Sequence, residues 1–262
     1  MKLYQVDSFT DEKFKGNPAA VCILDKPLDG QMMQKIAAEM NLSETAFIES
    51  AGSSTFNLRW FTPETEVNLC GHATLAAGHV LFSTGTIPDD GLITFHTKSG
   101  ELKVSKEGKQ IVMNFPQFEV QNTECPEQLK AWLGINPAES YYAEKRYLFV
   151  VESVSELKHM TPDFYHLADE PYGFMITAES EKQEADFCSR FFAPFVGINE
   201  DPVTGSAHSY LAPFWGKRLK KKRLTGLQIS KRGGIVTCEL LPDRRIHIKG
   251  EAVTVFHGEL HL

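Results

Sequence analysis

The sequence predicts a mixed α/β (α+β) protein made of two pseudo-symmetric halves, each wrapping strands around one central helix. Three observations carry this expectation. Blocks of sequence recur in the same order at nearly constant spacing. Two segments are apolar around most of a helical surface. The remainder is dominated by strand-like alternation and β-branched residues.

The recurrence begins with Arg59-Trp60-Phe61-Thr62-Pro63, which has a partner in Arg190-Phe191-Phe192-Ala193-Pro194, 131 positions on. Cys70-Gly71-His72-Ala73 is matched by Thr204-Gly205-Ser206-Ala207 after 134 positions, and Thr97-Lys98-Ser99-Gly100 by Ser230-Lys231-Arg232-Gly233 after 133. Chance agreement among common strand and turn words is the alternative, but three ordered blocks favour a duplicated domain. The period far exceeds the ~20–50 residues of solenoid repeats. The halves are expected at residues 1–118 and 126–250, with the boundary in the proline-containing stretch from Phe115 to Glu127. Residues 251–262 lie beyond the second repeat and are expected to return to the first half, with the site in a cleft between the halves.

The elements follow in order. Met1 to Asp7 reads as a strand. Asp29 to Met40 reads as a helix with Met32, Ile36, Ala37 and Met40 on one face. Thr55 to Phe61 is a strand by its alternation, and Ala73 to Phe82 a helix apolar on most sides, hence buried on most sides. In the second half Pro126 to Leu133 reads as helical, and the counterpart of the central helix runs from Ala207 to about Lys217.

Composition narrows the function. The chain has 262 residues, 42% hydrophobic and 23% charged, with net charge −7. An acidic chain is a poor nucleic-acid binder, which needs a basic face for phosphates. The longest apolar run, Ala19 to Leu24, is far shorter than the ~20 residues of a membrane span. The N-terminus lacks a signal-like apolar stretch, so a cytoplasmic location is expected. Five scattered cysteines without a CxxC pair read as reduced thiols, and neither zinc nor any other metal is expected.

Both central helices start on a glycine, Gly71 and Gly205. A glycine lets a ligand approach the backbone, and a helix start offers unpaired N–H groups and the positive dipole end. Two such starts suit an anionic group such as a carboxylate; tight helix–strand packing is the other reading of the glycines. The polar residues nearby are asymmetric: His72 in the first half, Asp201 and Ser206 in the second. His72 is a candidate proton carrier or a hydrogen-bonded core histidine. Asp201 is a candidate ligand-binding group or a helix cap. Glu44, between a helix and an apolar strand, is a candidate acid/base or a solvated glutamate. The cluster Lys217 to Arg223 reads as a solvated helix end, with attraction of an acidic ligand as the alternative.

Taken as a set, Gly16-Asn17-Pro18-Ala19-Ala20-Val21, Ser43-Glu44-Thr45-Ala46-Phe47, Cys70-Gly71-His72-Ala73-Thr74, Glu200-Asp201-Pro202-Val203-Thr204-Gly205-Ser206-Ala207-His208 and Gln228-Ile229-Ser230-Lys231-Arg232-Gly233-Gly234 resemble the PhzF (phenazine-biosynthesis-like) family. The blocks stand in the family's order and cover nearly the whole chain. The resemblance implies the diaminopimelate-epimerase-like fold, with a mostly antiparallel sheet around a central helix in each half. It implies Glu44 as the acid/base, His72 and Asp201 as further catalytic residues, and Ser43, Gly71, Gly205 and Ser206 as substrate-binding. No cofactor is implied, since the best-known member moves a proton between ring carbons without one. Related epimerases use two cysteines, one per half. Here Cys70 fills one position and Thr204 the other, which disfavours a two-thiol mechanism because threonine has no low-pKa proton.

The expected activity is a cofactor-independent isomerase moving a proton within a small carboxylated substrate. A racemase or epimerase of an amino acid-like compound, or a non-catalytic binding relative, remain the alternatives. Expected partners are the substrate and, at most, a second copy of the chain as a homodimer, with neither nucleic acid nor membrane.

Overall fold

The computed structural model describes residues 1–262. They form two compact units, Met1–Phe115 with His247–Leu262, and Pro116–Ile246. The division falls earlier than the stretch of residues 119–125, which belongs to the second unit and contributes a short strand there.

The first unit runs β1 (Lys2–Ser8), β2 (Asn17–Leu24), α1 (Gly30–Met40), β3 (Glu44–Ser50), β4 (Thr55–Phe61), β5 (Glu66–Val67), α2 (Gly71–Ser83), β6 (Ile93–Thr97), β7 (Gly100–Glu107) and β8 (Gln110–Pro116). The second runs β9 (Gln121–Asn122), α3 (Glu127–Leu133), β10 (Glu139–Ala143), β11 (Arg146–Val150), α4 (Val154–His159), α5 (Phe164–Leu167), β12 (Gly173–Glu179), β13 (Phe187–Ala193), β14 (Ile198–Asp201), α6 (Gly205–Leu219), β15 (Arg223–Gln228) and β16 (Gly234–Leu240). β17 (Arg245–Gly250) spans the division, and β18 (Ala252–Glu259) belongs to the first unit.

The two units share one topology. In the first, the strand order is β18-β1-β2-β3-β4-β6-β7-β8, antiparallel except at β2–β3 and β4–β6. In the second it is β9-β10-β11-β12-β13-β15-β16, antiparallel except at β11–β12 and β13–β15. Parallel neighbours cannot be joined by a tight turn and need a crossover, usually a helix. That requirement explains the helices: α1 and α2 make the crossovers of the first unit, α4 with α5 and then α6 those of the second.

Eleven of the thirteen residues of α2 are buried. The helix packs on β1, β2, β3, β7 and β18. Gly78 allows the approach to β7, because a Cβ there would stand 2.8 Å from Val104 Cγ1. The helix is therefore surrounded, as its all-round apolar surface predicts. α1 starts at the Asp29 cap, whose carboxylate accepts from the Met32 N–H at 2.9 Å. Its buried residues are Met33, Ile36 and Ala37. Met32 and Met40, expected on that face, are half-buried and pack against the same cluster of Leu3, Cys22 and Phe47, in which Met33 is the fully buried methionine. All five cysteines are free thiols, and only Cys125 is less than buried. No helix is long and apolar enough to cross a membrane.

Candidate active site

In the first unit the polar residues converge on the first turn of α2. Glu44, the first residue of β3, is 8% exposed, and His72, the second residue of α2, is 3% exposed. Glu44 Oε2 and His72 Nε2 lie 3.1 Å apart. They are close enough for an ion pair yet out of line for a hydrogen bond, so both atoms are enclosed without a hydrogen-bond partner. Buried polar atoms in native structures are nearly always satisfied, and exceptions point to function.

The other face of the imidazole is held. The Asn17 side-chain amide donates to His72 Nδ1 at 3.1 Å, leaving the ring proton on Nε2, the nitrogen nearest Glu44. Asn17 is the first residue of β2, and the Ser8 hydroxyl at the end of β1 donates to the His72 carbonyl at 2.9 Å. Burial opposes a charge on this ring, but the sulfur of Cys70 and the Glu44 carboxylate favour it and raise the pKa of His72. Cys70 caps α2 by position only, without a side-chain bond to the helix. Its Sγ lies 3.5 Å from His72 Nδ1, and burial, then the charge of Glu44, push the thiol up to about 11. It is therefore a neutral thiol at physiological pH, not a thiolate nucleophile.

Glu44, Cys70 and His72 bring their donor atoms within 4.8 Å of one another, a spacing that can hold a metal ion. The thiol, however, sits nearest Nδ1 and the carboxylate nearest Nε2. One ion takes only one nitrogen of an imidazole, and Nδ1 already faces Asn17. The arrangement suits proton exchange at Nε2 better than coordination.

In the second unit the corresponding helix start is built from Asp201, Thr204, Gly205 and Ser206. Asp201 ends β14 and is 7% exposed. It does not cap α6: the N-cap is Thr204, which makes no side-chain bond to the helix. Instead the Thr204 hydroxyl donates to Asp201 Oδ2 at 2.5 Å. Gln228 locks this turn, its amide nitrogen donating to the Asp201 carbonyl at 2.7 Å and its amide oxygen accepting from the Thr204 N–H at 2.9 Å. Gly205 is buried, and Ser206 is half-buried with Oγ at 3.3 Å from Arg146 Nη2. Ser43 is half-buried on the residue before β3, next to Glu44.

The duplication is visible in side chains. Thr74 Oγ1 donates to the Cys70 carbonyl, and His208 Nδ1 makes the equivalent bond to the Thr204 carbonyl at 2.9 Å. Burial pushes His208 down to about 4, so its Nδ1–H is donated by a neutral ring. The carboxylate of Glu44 is not repeated: Ala19 faces Glu44 in the first unit, whereas Arg146 faces Gly173 at the same place in the second.

Sequence reasoning did not single out Asn17, Ser8, Gln228 or Arg146. Asn17 and Gln228 lie inside blocks that were noticed, but nothing in a strand's alternation marks an inward amide as the support of another side chain. Arg146 carries no motif. Half of the basic cluster is ion-paired: Arg218 with Glu139, Lys221 with Asp186 and Arg223 with Glu239.

The model of the PhzC-PhzF family, described as phenazine biosynthesis-like protein, matches residues 6–258. An uncharacterized isomerase of Halalkalibacterium halodurans is 47% identical, with 99% of this chain and 98% of the relative covered. A second, from Pseudomonas aeruginosa, is 45% identical over 100% of this chain and 99% of its own. Among solved structures, a PhzF-family protein of Enterococcus faecalis superposes with a TM-score of 0.94 at 42% identity, covering 100% of this chain and 99% of that one. The fold is of the diaminopimelate-epimerase type. Matched from end to end by the family model, by relatives named as isomerases and by a solved structure of the same architecture, the chain belongs to the PhzC-PhzF, phenazine biosynthesis-like family.

Proposed function

We propose that the protein is a cofactor-independent isomerase that moves a proton between carbon atoms of a small carboxylated substrate, with Glu44 as the group that removes and returns it. The observation that carries this reading is the enclosed contact of Glu44 Oε2 with His72 Nε2, 3.1 Å apart and without an aligned hydrogen bond. A carboxylate held beside a histidine, with an oxygen lone pair not taken by a hydrogen bond, can accept a proton from carbon and give it back. His72, braced by Asn17, keeps the carboxylate oriented and supplies a second proton position at Nε2. In the first unit Gly71 opens a helix start suited to an anionic group, with Ser43 bordering the base. In the second unit Gly205 opens the equivalent start, flanked by Asp201 and Ser206 as substrate-binding groups.

A neutral buried thiol at Cys70 and a threonine at position 204 support one carboxyl shuttle over a pair of thiols on opposite faces of a stereocentre. The test is proton exchange. The protein is incubated in deuterium oxide with the small carboxylic acids extracted from cells, and each is followed by mass spectrometry. A catalysed mass increase in one acid, with a shifted double bond in its product, is expected. Stereoisomers without a shifted double bond would make it an epimerase, and no exchange into any acid would overturn the reading.

A further inference from the structure

Arg146 opens β11, and the parallel register sets it opposite Gly173, the first residue of β12. Glycine is needed there. A Cβ at position 173 would stand 3.0 Å from Phe191 Cζ and 3.5 Å from Arg146 Cγ. The space a side chain would fill is taken by the arginine stem and the Phe191 ring. The guanidinium carbon lies 5.6 Å from the centroid of Phe191 and 5.1 Å from that of Tyr210, so two aromatic rings flank a cation drawn out of water.

Such a charge is costly unless it is paired. Arg146 forms no ion pair. Its Nη2 donates to Ser206 Oγ at 3.3 Å, on the second residue of α6, and its Nη1 is enclosed with no hydrogen-bond partner. The carboxylates whose charge reaches it are engaged elsewhere, Glu144 accepting from the Tyr210 hydroxyl at 2.9 Å and Asp201 from the Thr204 hydroxyl at 2.5 Å. A half-buried guanidinium whose Nη1 lacks a hydrogen-bond partner, beside the start of α6, is a site for a planar anion.

We propose that Arg146 is the anchor for the substrate's carboxylate, receiving one oxygen on Nη1 while the start of α6 and Ser206 border the other. This rests on the reading that the substrate is a carboxylate. It gives the repeat position different chemistry in the two units: Ala19 opposite Glu44 in the first, and in the second an anion-holding cation opposite Gly173. It also predicts a preference for carboxylates over neutral amides of the same shape, with Arg146 determining that specificity.

The probes are benzoate and its neutral isostere benzamide, titrated by ligand-observed NMR and calorimetry against the full chain. Wild-type protein should bind benzoate about tenfold or more tightly than benzamide, as expected for hydrogen bonds to a buried charge. Arg146→Met should abolish the preference, and Arg146→Lys, which keeps the charge and loses the fork, should reduce it severalfold. Glu44→Gln should leave it intact. Thermal melts establish that each variant is folded, and if Arg146→Met is not, the Lys variant decides. An unchanged preference in the Arg146 variants, or no saturable benzoate binding to wild type at tens of millimolar, overturns the proposal. Failure of proton exchange with the benzoate preference intact would overturn the isomerase reading alone.

Discussion

Arg59 and Arg190 hold the same posture within their own units. Each guanidinium grips a glutamate of the following short strand through paired bonds of 2.7 and 2.9 Å, Arg59 on Glu66 and Arg190 on Glu200. Each also lies over the phenylalanine two residues on, at 5.1 Å for Phe61 and 5.0 Å for Phe192. The arginine thus ties the turn that leads into the central helix back onto its strand. Arg190 does more, donating through Nη1 to the Leu157 and Met160 carbonyls at the end of α4. Arg190→Lys should therefore lower unfolding stability by about 2 kcal/mol in urea titrations, from lost bonds to a charged donor. Arg59→Lys should cost less, since its side chain is 35% exposed and binds no carbonyl. Equal losses in the two variants would contradict the geometry.

Glu44→Gln keeps the shape of the side chain but cannot accept a proton from carbon. Turnover should fall by at least the ~10²-fold typical of lost general acid–base catalysis, with ligand binding nearly unchanged. Asp201→Asn should instead weaken binding along with rate, because it removes the charge that accepts from the Thr204 hydroxyl beside the start of α6 and is proposed to hold a polar group of the substrate. Steady-state kinetics alongside direct ligand titration separate the two. Turnover of Glu44→Gln at the parent rate would move the acid/base role to His72.

Cys70→Ser should retain most of the activity. Burial, then the charge of Glu44, disfavours its thiolate, and its sulfur sits by Nδ1 of His72 whereas Glu44 meets Nε2. Complete loss of turnover in a variant that still folds and binds would restore a thiol mechanism.

His208 makes stability fall in mild acid. Burial holds its folded pKa near 4, against 6.5 when unfolded. Between those values the unfolded chain binds a proton that the folded chain does not, so stability is present above pH 6.5 and is lost as pH falls toward 4. Glu66, held down to about 2 chiefly by its hydrogen bond from Arg59, contributes in the same direction but in a lower window, below 4.5. Melting temperatures measured across the upper window should drop in wild type and drop less in His208→Gln. Parallel curves would show that His208 is not the group responsible.

Much of this was legible in the sequence because the duplication left covalent traces. The Arg59 and Arg190 blocks announce two units, and the all-round apolar surface of Ala73 to Phe82 announces a surrounded helix. Ser43-Glu44 and Cys70-Gly71-His72 carry the first half of the site. What was not legible depends on register. Met33 is buried more deeply than Met32, although both pack on one core, because the exact winding of α1 decides the depth of each. Asn17 reaches His72 only because β2 and β3 are parallel neighbours under α2. An arginine at a strand start reads as solvent-facing until the glycine beside it is seen to make room.

Gly173 also limits how this enzyme can be rebuilt. Restoring symmetry by placing a carboxylate there, to match Glu44, would drive its first carbon against Phe191 and the stem of Arg146. The Arg146 stem tolerates that carbon at ordinary contact distance, but the Phe191 ring must yield, and a ring that packs a core yields at some cost in stability. A laboratory search for a carboxylate at this repeat position should therefore begin with libraries that vary positions 173 and 191 together, with 146 as the third position.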